Sequence, residues 1–325
     1  MRRDILICAV VAATVLSWPA LAASQLDRAD CAADEPNRKI SGCTRIIQDV
    51  TETVTDRALA FYMRGFAYTA NGNFDGAIAD YNEAIRLNPK NAALAFNERG
   101  SAYNSKGDTD RAIADFTEAI RLDPTYADIF FNRGITHMAL GSFDRAIADF
   151  GEAIRLGSNQ IVAVTKDSAI ERLAVDRINS DYFGARATAY FYSANFGAAV
   201  SDYAHAMQLQ PDNATYLIWH YVARARSGNQ ITSAELQSSA KQIKPQDWPF
   251  PVIELFMESL TPDATLAAAT TPSDRCEAQF YVAEWYLLHE KRPEAKAALS
   301  AALATCSKDQ LEFQGAQVEL KRLAQ

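Results

Sequence analysis

Residues 64–89 read RGFAYTANGNFDGAIADYNEAIRLNP, and residues 99–124 read RGSAYNSKGDTDRAIADFTEAIRLDP. A third copy, RGITHMALGSFDRAIADFGEAIRL at 133–156, changes mainly at its ends. The chain therefore repeats itself at a spacing of about 34 residues. Small or apolar residues hold register throughout: Phe61, Gly65, Tyr68, Ala77, Tyr81 and Ala84 in the first copy return as Phe96, Gly100, Tyr103, Ala112, Phe116 and Ala119. The third copy has Phe130, Gly134, His137, Ala146, Phe150 and Ala153 in those places. A fourth fits from Ser180, with Phe183, Tyr190, Ala199, Tyr203 and Ala206, and with Ala187 where glycine stood.

Each copy divides into two helices by local chemistry. Gly72, Gly107 and Gly141 suit the left-handed residue that closes a helix C-terminus. Asp75, Asp110 and Asp144 follow, where a carboxylate is expected to cap the second helix. Pro89, Pro124 and Pro211 stop that helix. Arg64, Arg99, Arg133 and Arg186 share one slot and Asp80, Asp115, Asp149 and Asp202 another, predicting an arginine–aspartate bridge between the helices of each copy. A row of arginines gripping an acidic ligand is the weaker reading.

This period, with these glycine and apolar positions, resembles the tetratricopeptide repeat family. The resemblance implies an all-α fold, a right-handed α-solenoid of helix-turn-helix repeats, and a binding scaffold without a cofactor. It places a concave binding groove on the first helices. The slots concerned hold Tyr62, Met63, Phe66 and Thr69 in the first unit, Asn97, Glu98, Ser101 and Asn104 in the second, Phe131, Asn132, Ile135 and Met138 in the third, and Thr188, Phe191 and Tyr192 in the fourth. Aromatic and methionine anchors with amides between them suit a protein or peptide segment. The lysine–asparagine carboxylate clamp of some relatives is missing. An alternative is that Phe66, Phe131 and Ile135 pack against the next unit.

The expected organisation is a leader at 1–22, a helical hairpin at 23–57, three regular repeats at 58–160, a helical insert at 161–179, a fourth repeat at 180–213, a degenerate repeat and proline-rich segment at 214–275, and a last pair with a capping helix at 276–325. Residues 160–179 read as either a supernumerary helix or an extension of the next unit's first helix. The proline-rich segment, the final pair and the stretch Glu277-Ala278-Gln279-Phe280-Tyr281 resemble envelope lipoproteins of the NlpI kind. That resemblance implies an adaptor for envelope proteases or peptidoglycan enzymes, but this chain has no lipid-attachment cysteine at the leader's end.

The start combines Arg2 and Arg3, an apolar run from Ile5 to Trp18, Pro19 and Ala20-Leu21-Ala22. A secretory leader cleaved after Ala22 or Ala23 is expected, placing the chain in the periplasm or outside the cell, with no membrane span after cleavage. Cys8 departs with the leader, leaving Cys31, Cys43, Cys276 and Cys306. Three pairings are open to four cysteines. One pair at each end of the array favours Cys31 with Cys43 and Cys276 with Cys306.

The chain has 32 Lys and Arg against 40 Asp and Glu, a net charge of −8, which argues against nucleic acid as a partner. No Cys-x-x-Cys occurs and the four histidines are scattered, so no metal site is expected. Asp149-Phe150-Gly151 spells a kinase motif but has no glycine-rich loop or His-Arg-Asp to accompany it. Protein or peptide partners, a second copy of the chain included, are therefore expected ahead of an enzyme activity. An assembly factor of a secretion or polysaccharide-export machine is the alternative, and an envelope enzyme with a substrate-presenting repeat surface is the third reading.

Overall fold

The computed structural model describes residues 20–325 except 164–168, 230, 231, 246 and 309. The expected leader falls outside that range as far as residue 19. The chain divides into two compact units, Met1–Asp108 and Thr109–Gln325. Both are all-helical among the described residues.

The first unit contains α1 (Ala20–Cys31), α2 (Pro36–Gln48), α3 (Val54–Ala70), α4 (Phe74–Leu87) and α5 (Ala93–Ser105), each packed on its predecessor in the chain. Helix starts are set by side chains that accept free amides. Glu35 takes the N–H groups of Asn37 and Arg38, Thr53 that of Asp56, and Asn73 that of Gly76. The cap of α4 is thus Asn73. Asp75, expected in that role, sits in the first turn, where its side chain is 84% exposed and pairs with Lys106.

Gly72 ends α3 at φ +73°, with its N–H on the Thr69 carbonyl and the Asn73 N–H on that of Tyr68. Gly65 lies where α3 meets α4: a methyl group there would stand 2.8 Å from the buried Tyr81 ring. Beside this crossing, Arg64 donates two hydrogen bonds to Asp80, both at 2.7 Å.

The second unit begins with α6 (Thr109–Leu122), α7 (Ala127–Ala139), α8 (Phe143–Ala163), α9 (Ala169–Tyr192), α10 (Phe196–Leu209) and α11 (Ala214–Arg226). The same bridge recurs as Arg133 on Asp149 (2.6 and 2.9 Å) and Arg186 on Asp202 (2.6 and 2.8 Å). These arginines serve the scaffold. Arg99 and Asp115 fall in different units; Arg99 also donates to Asn82. The described residues around 160–179 continue α8 at one end and α9 at the other, so the insert lengthens both helices.

Beyond Gly228 (φ +84°), prolines break the chain into α12 (Ser233–Ser239), α13 (Phe250–Phe256) and α14 (Pro262–Ala268). The long pair α15 (Pro272–Leu288) and α16 (Arg292–Thr305) follows, then α17 (Leu311–Leu323). Trp219 of α11, 1% exposed, is the centre of the core, with Phe191, Tyr203, Phe280 and Tyr281 in ring contact. Cys31 and Cys43 are joined with Cα atoms 4.6 Å apart, and Cys276 and Cys306 at 4.8 Å. Each bond clamps the hairpin in which it lies.

Candidate partner-binding surface

In the first unit the inner edge of α3 is apolar and open. Leu59 is 58% exposed and Phe66 47%. Leu59 stands between two hollows. One, of about 240 Å³, is lined by Leu59, Tyr62, Leu94 and Ala95. The other, of about 380 Å³, is lined by Ile46, Leu59, Ala60 and Met63, with Arg28 and Asp56 at its margin. The Lys39 ammonium lies 5.5 Å from the Phe66 ring centre, so a cation flanks the apolar edge. Leu59 and Leu94 were absent from the expected groove, although both occupy the second slot of their units.

In the polar part of the expected groove Asn97 is buried, while Thr69, Glu98, Ser101 and Asn104 are half-buried. Asn97 is 4% exposed and its side-chain amide donates to Glu98, so it is not a surface donor. The Ser101 hydroxyl donates to the Asn97 carbonyl and that of Thr69 to the Gly65 carbonyl, each within its own helix.

In the second unit the expected groove residues are covered. Phe131 rests against Phe150 and Tyr182, with ring centres 5.6 and 5.2 Å away. Met138, Thr188, Phe191 and Tyr192 are all less than 5% exposed. Asn132 and Ile135 are half-buried. Part of the cover is α17. Its Leu311 packs against the buried cluster of Met138, Ala146, Phe150 and Ala189, as Phe131 and Ile135 do, and the Leu311 carbonyl accepts from the Tyr192 hydroxyl at 2.7 Å. Arg322 donates to the Phe191 and Tyr192 carbonyls at 2.9 and 2.7 Å. Of these seven residues, Tyr192 meets α17 through its hydroxyl, and Phe191 and Tyr192 through their carbonyls, whereas the Phe191 ring is covered by Phe196 and Trp219 and the Thr188 hydroxyl by that of Tyr203. Phe131 and Ile135 also pack on neighbouring repeats, as the alternative reading had it.

A buried charged cluster fixes that helix. Arg226 of α11 donates to Glu284 of α15 at 3.0 Å and to Glu319 of α17 at 3.1 Å, and Arg322 pairs with Glu319. Glu284 is fully buried and its second carboxyl oxygen has no hydrogen-bond partner. Burial, with Glu319 beside it, pushes its carboxyl up to about 8. Burial likewise pushes Glu312 to about 7, with Glu277 adding to the effect. Periodicity could not disclose this cluster, because its members are far apart in the chain.

Asp149 of the kinase-like triplet lies inside α8, committed to Arg133. Among the described residues, no three His, Cys, Asp or Glu side chains form a group that could hold a metal ion. No described helix is long and apolar enough to cross a membrane.

Models of the tetratricopeptide repeat match residues 58–91 and 127–159, and a TPR repeat model matches 100–141. This chain carries tetratricopeptide repeats. Repeats of this family are in general protein-interaction scaffolds. No curated protein matches the chain. A tetratricopeptide repeat protein from Parabacteroides merdae is similar in structure, at TM-score 0.53 and 14% identity, covering 82% of this chain and 99% of that one. The C-terminal part of a TPR repeat-containing protein from Cytophaga hutchinsonii gives 0.50 and 19%, covering 88% and 94%. Both show the all-α solenoid fold alone. The second TPR of Spaghetti (RPAP3) bound to an HSP90 peptide is 31% identical over 30% of this chain and 91% of that one, at TM-score 0.30, an overlap too slight to say what this chain binds. The NlpI resemblance finds no support in these likenesses.

Proposed function

We propose that the chain is a non-catalytic scaffold, exported to the periplasm or beyond the cell, that captures a protein or peptide partner along the inner edge of α3. One observation carries this reading. In the first unit Leu59 and Phe66 stay about half exposed, whereas Thr188, at the slot of Phe66 in the fourth repeat, is 4% exposed, and Phe191 and Tyr192 further along that helix are buried. An apolar patch left uncovered on a repeat scaffold marks an interaction site, and a few buried side chains carry most of the affinity at such sites. Tyr62 and Met63 line the flanking hollows and would receive those anchors. The leader sequence and two disulfides support export, since such bonds persist in oxidising compartments.

The test is the double variant Leu59→Ser and Phe66→Ser, used as bait beside the unaltered chain in an envelope extract. Both side chains are exposed, so helical content and melting temperature should hold. Partner capture should fall by about tenfold or more, as the loss of central apolar anchors implies. Equal capture by both baits would overturn the reading.

A further inference from the structure

Helix α17 meets the inner slots of the third and fourth repeats at the Met138 cluster, Phe191 and Tyr192, and the face that it buries is poorly suited to a permanent seat. Its buried residues are Glu312, Gly315, Ala316 and Glu319, spaced as one helical stripe. A stripe of larger apolar side chains would remove far more apolar surface from water. This one offers two small residues and two carboxyl groups, the latter costly to bury. The larger side chains Phe313, Val318, Leu320 and Leu323 are only partly buried beside it. Two orphaned buried oxygens, on Glu284 and on Gln314 of α17, add to the cost.

We propose that α17 is an internal ligand that opens as a unit, and that the slots it leaves form a second binding site for an amphipathic helix with the anchor pattern of α17. This site is separate from the α3 edge and does not rest on the reading given to it. The occupant is shown by α17 itself: a leucine on the cluster of Met138 and Phe150, small residues where Tyr192 and Phe280 approach, and an arginine on the Phe191 and Tyr192 carbonyls.

The seat binds protons. Facing Glu284 are Arg226 of α11, Glu319 and Arg322 of α17 and, further off, Tyr192 of α9. Facing Glu312 are Glu277 and Tyr281 of α15, Tyr192 of α9 and Tyr203 of α10. Burial, with Glu319 beside Glu284 and Glu277 beside Glu312, shifts each carboxyl towards the neutral form, while Arg226 and Arg322 pull Glu284 the other way without cancelling the shift. Opening exposes both to water, where they ionise at the ordinary carboxylate range, so opening releases protons and rises with pH.

Hydrogen exchange of the full chain, corrected for intrinsic rates, tests this at about pH 6 and about pH 8. The α17 amides should exchange faster than those of α9, α11 and α15, and their opening should increase roughly a hundredfold between the two conditions. The double variant Glu284→Gln and Glu312→Gln, which keeps shape but cannot ionise, should abolish that increase. A labelled peptide of residues 311–325 should bind the full chain to a similar extent at both pH values, because seating it takes up the protons that α17 releases. Exchange of α17 in step with α11 and α15 at both pH values, or no peptide binding at either, would overturn the proposal.

Discussion

Ala194 shows how far a single residue of this repeat can be read from sequence. It holds the left-handed turn after α9 at φ +63°, where the other repeats have Gly72, Gly107 and Gly141. A side chain costs about 1 kcal/mol or more in that conformation, so Ala194→Gly should raise stability by about 0.5–1 kcal/mol, read as a higher melting temperature. Gly65→Ala should act in the opposite direction. Its methyl group meets the Tyr81 ring at 2.8 Å, and overpacking of this kind costs about 1–3 kcal/mol in denaturant melts. The glycine roles and the Arg64–Asp80 bridge were legible because they are local and recur at a fixed spacing. The cap of α4 was misassigned to Asp75 because Asn73 and Asp75 are both cap-forming residues, and only backbone geometry decides which faces the free amide.

At the scale of elements, the four helices of the two clamped hairpins depend on their disulfides. Cys276→Ser with Cys306→Ser should cost about 3–4 kcal/mol, the chain entropy regained when a loop of this length is released, measured by thermal unfolding. The packing of α17 sets the pH response. Glu284 and Glu312 have folded values raised to about 8 and about 7. Their contribution to stability is fully present below the ordinary carboxylate value and is lost as pH rises through the folded values. Melting of the second unit should therefore fall steadily from about pH 5 to about pH 8 and then level off; a melting point that rises over this window would refute the assignment. Arg226→Ala should destabilise by about 3–5 kcal/mol, because it strips a buried Glu319 of its partner on α11. Periodicity announced that a last helix exists, and its polar side suggested a cap exposed to solvent. Its buried glutamates could not be foreseen, since their partners lie on α11 and α15 and no local pattern links them.

For the whole molecule, the repeats specify the fold, while the site depends on which slots the chain itself fills. The slot positions were readable from register; occupancy was not, because Phe66 at the ninth slot and Phe191 at the twelfth are the same residue type, and nothing local says which of them is covered. Phe66 is half exposed beside Lys39, and Phe191 lies in the Trp219 core. A photoreactive side chain placed in turn at Leu59, at Phe66 and at the outward-facing Arg86 and Arg121 measures occupancy directly in living cells. The account predicts that one partner protein is trapped from positions 59 and 66 and not from 86 or 121; trapping from the outer positions alone would contradict it.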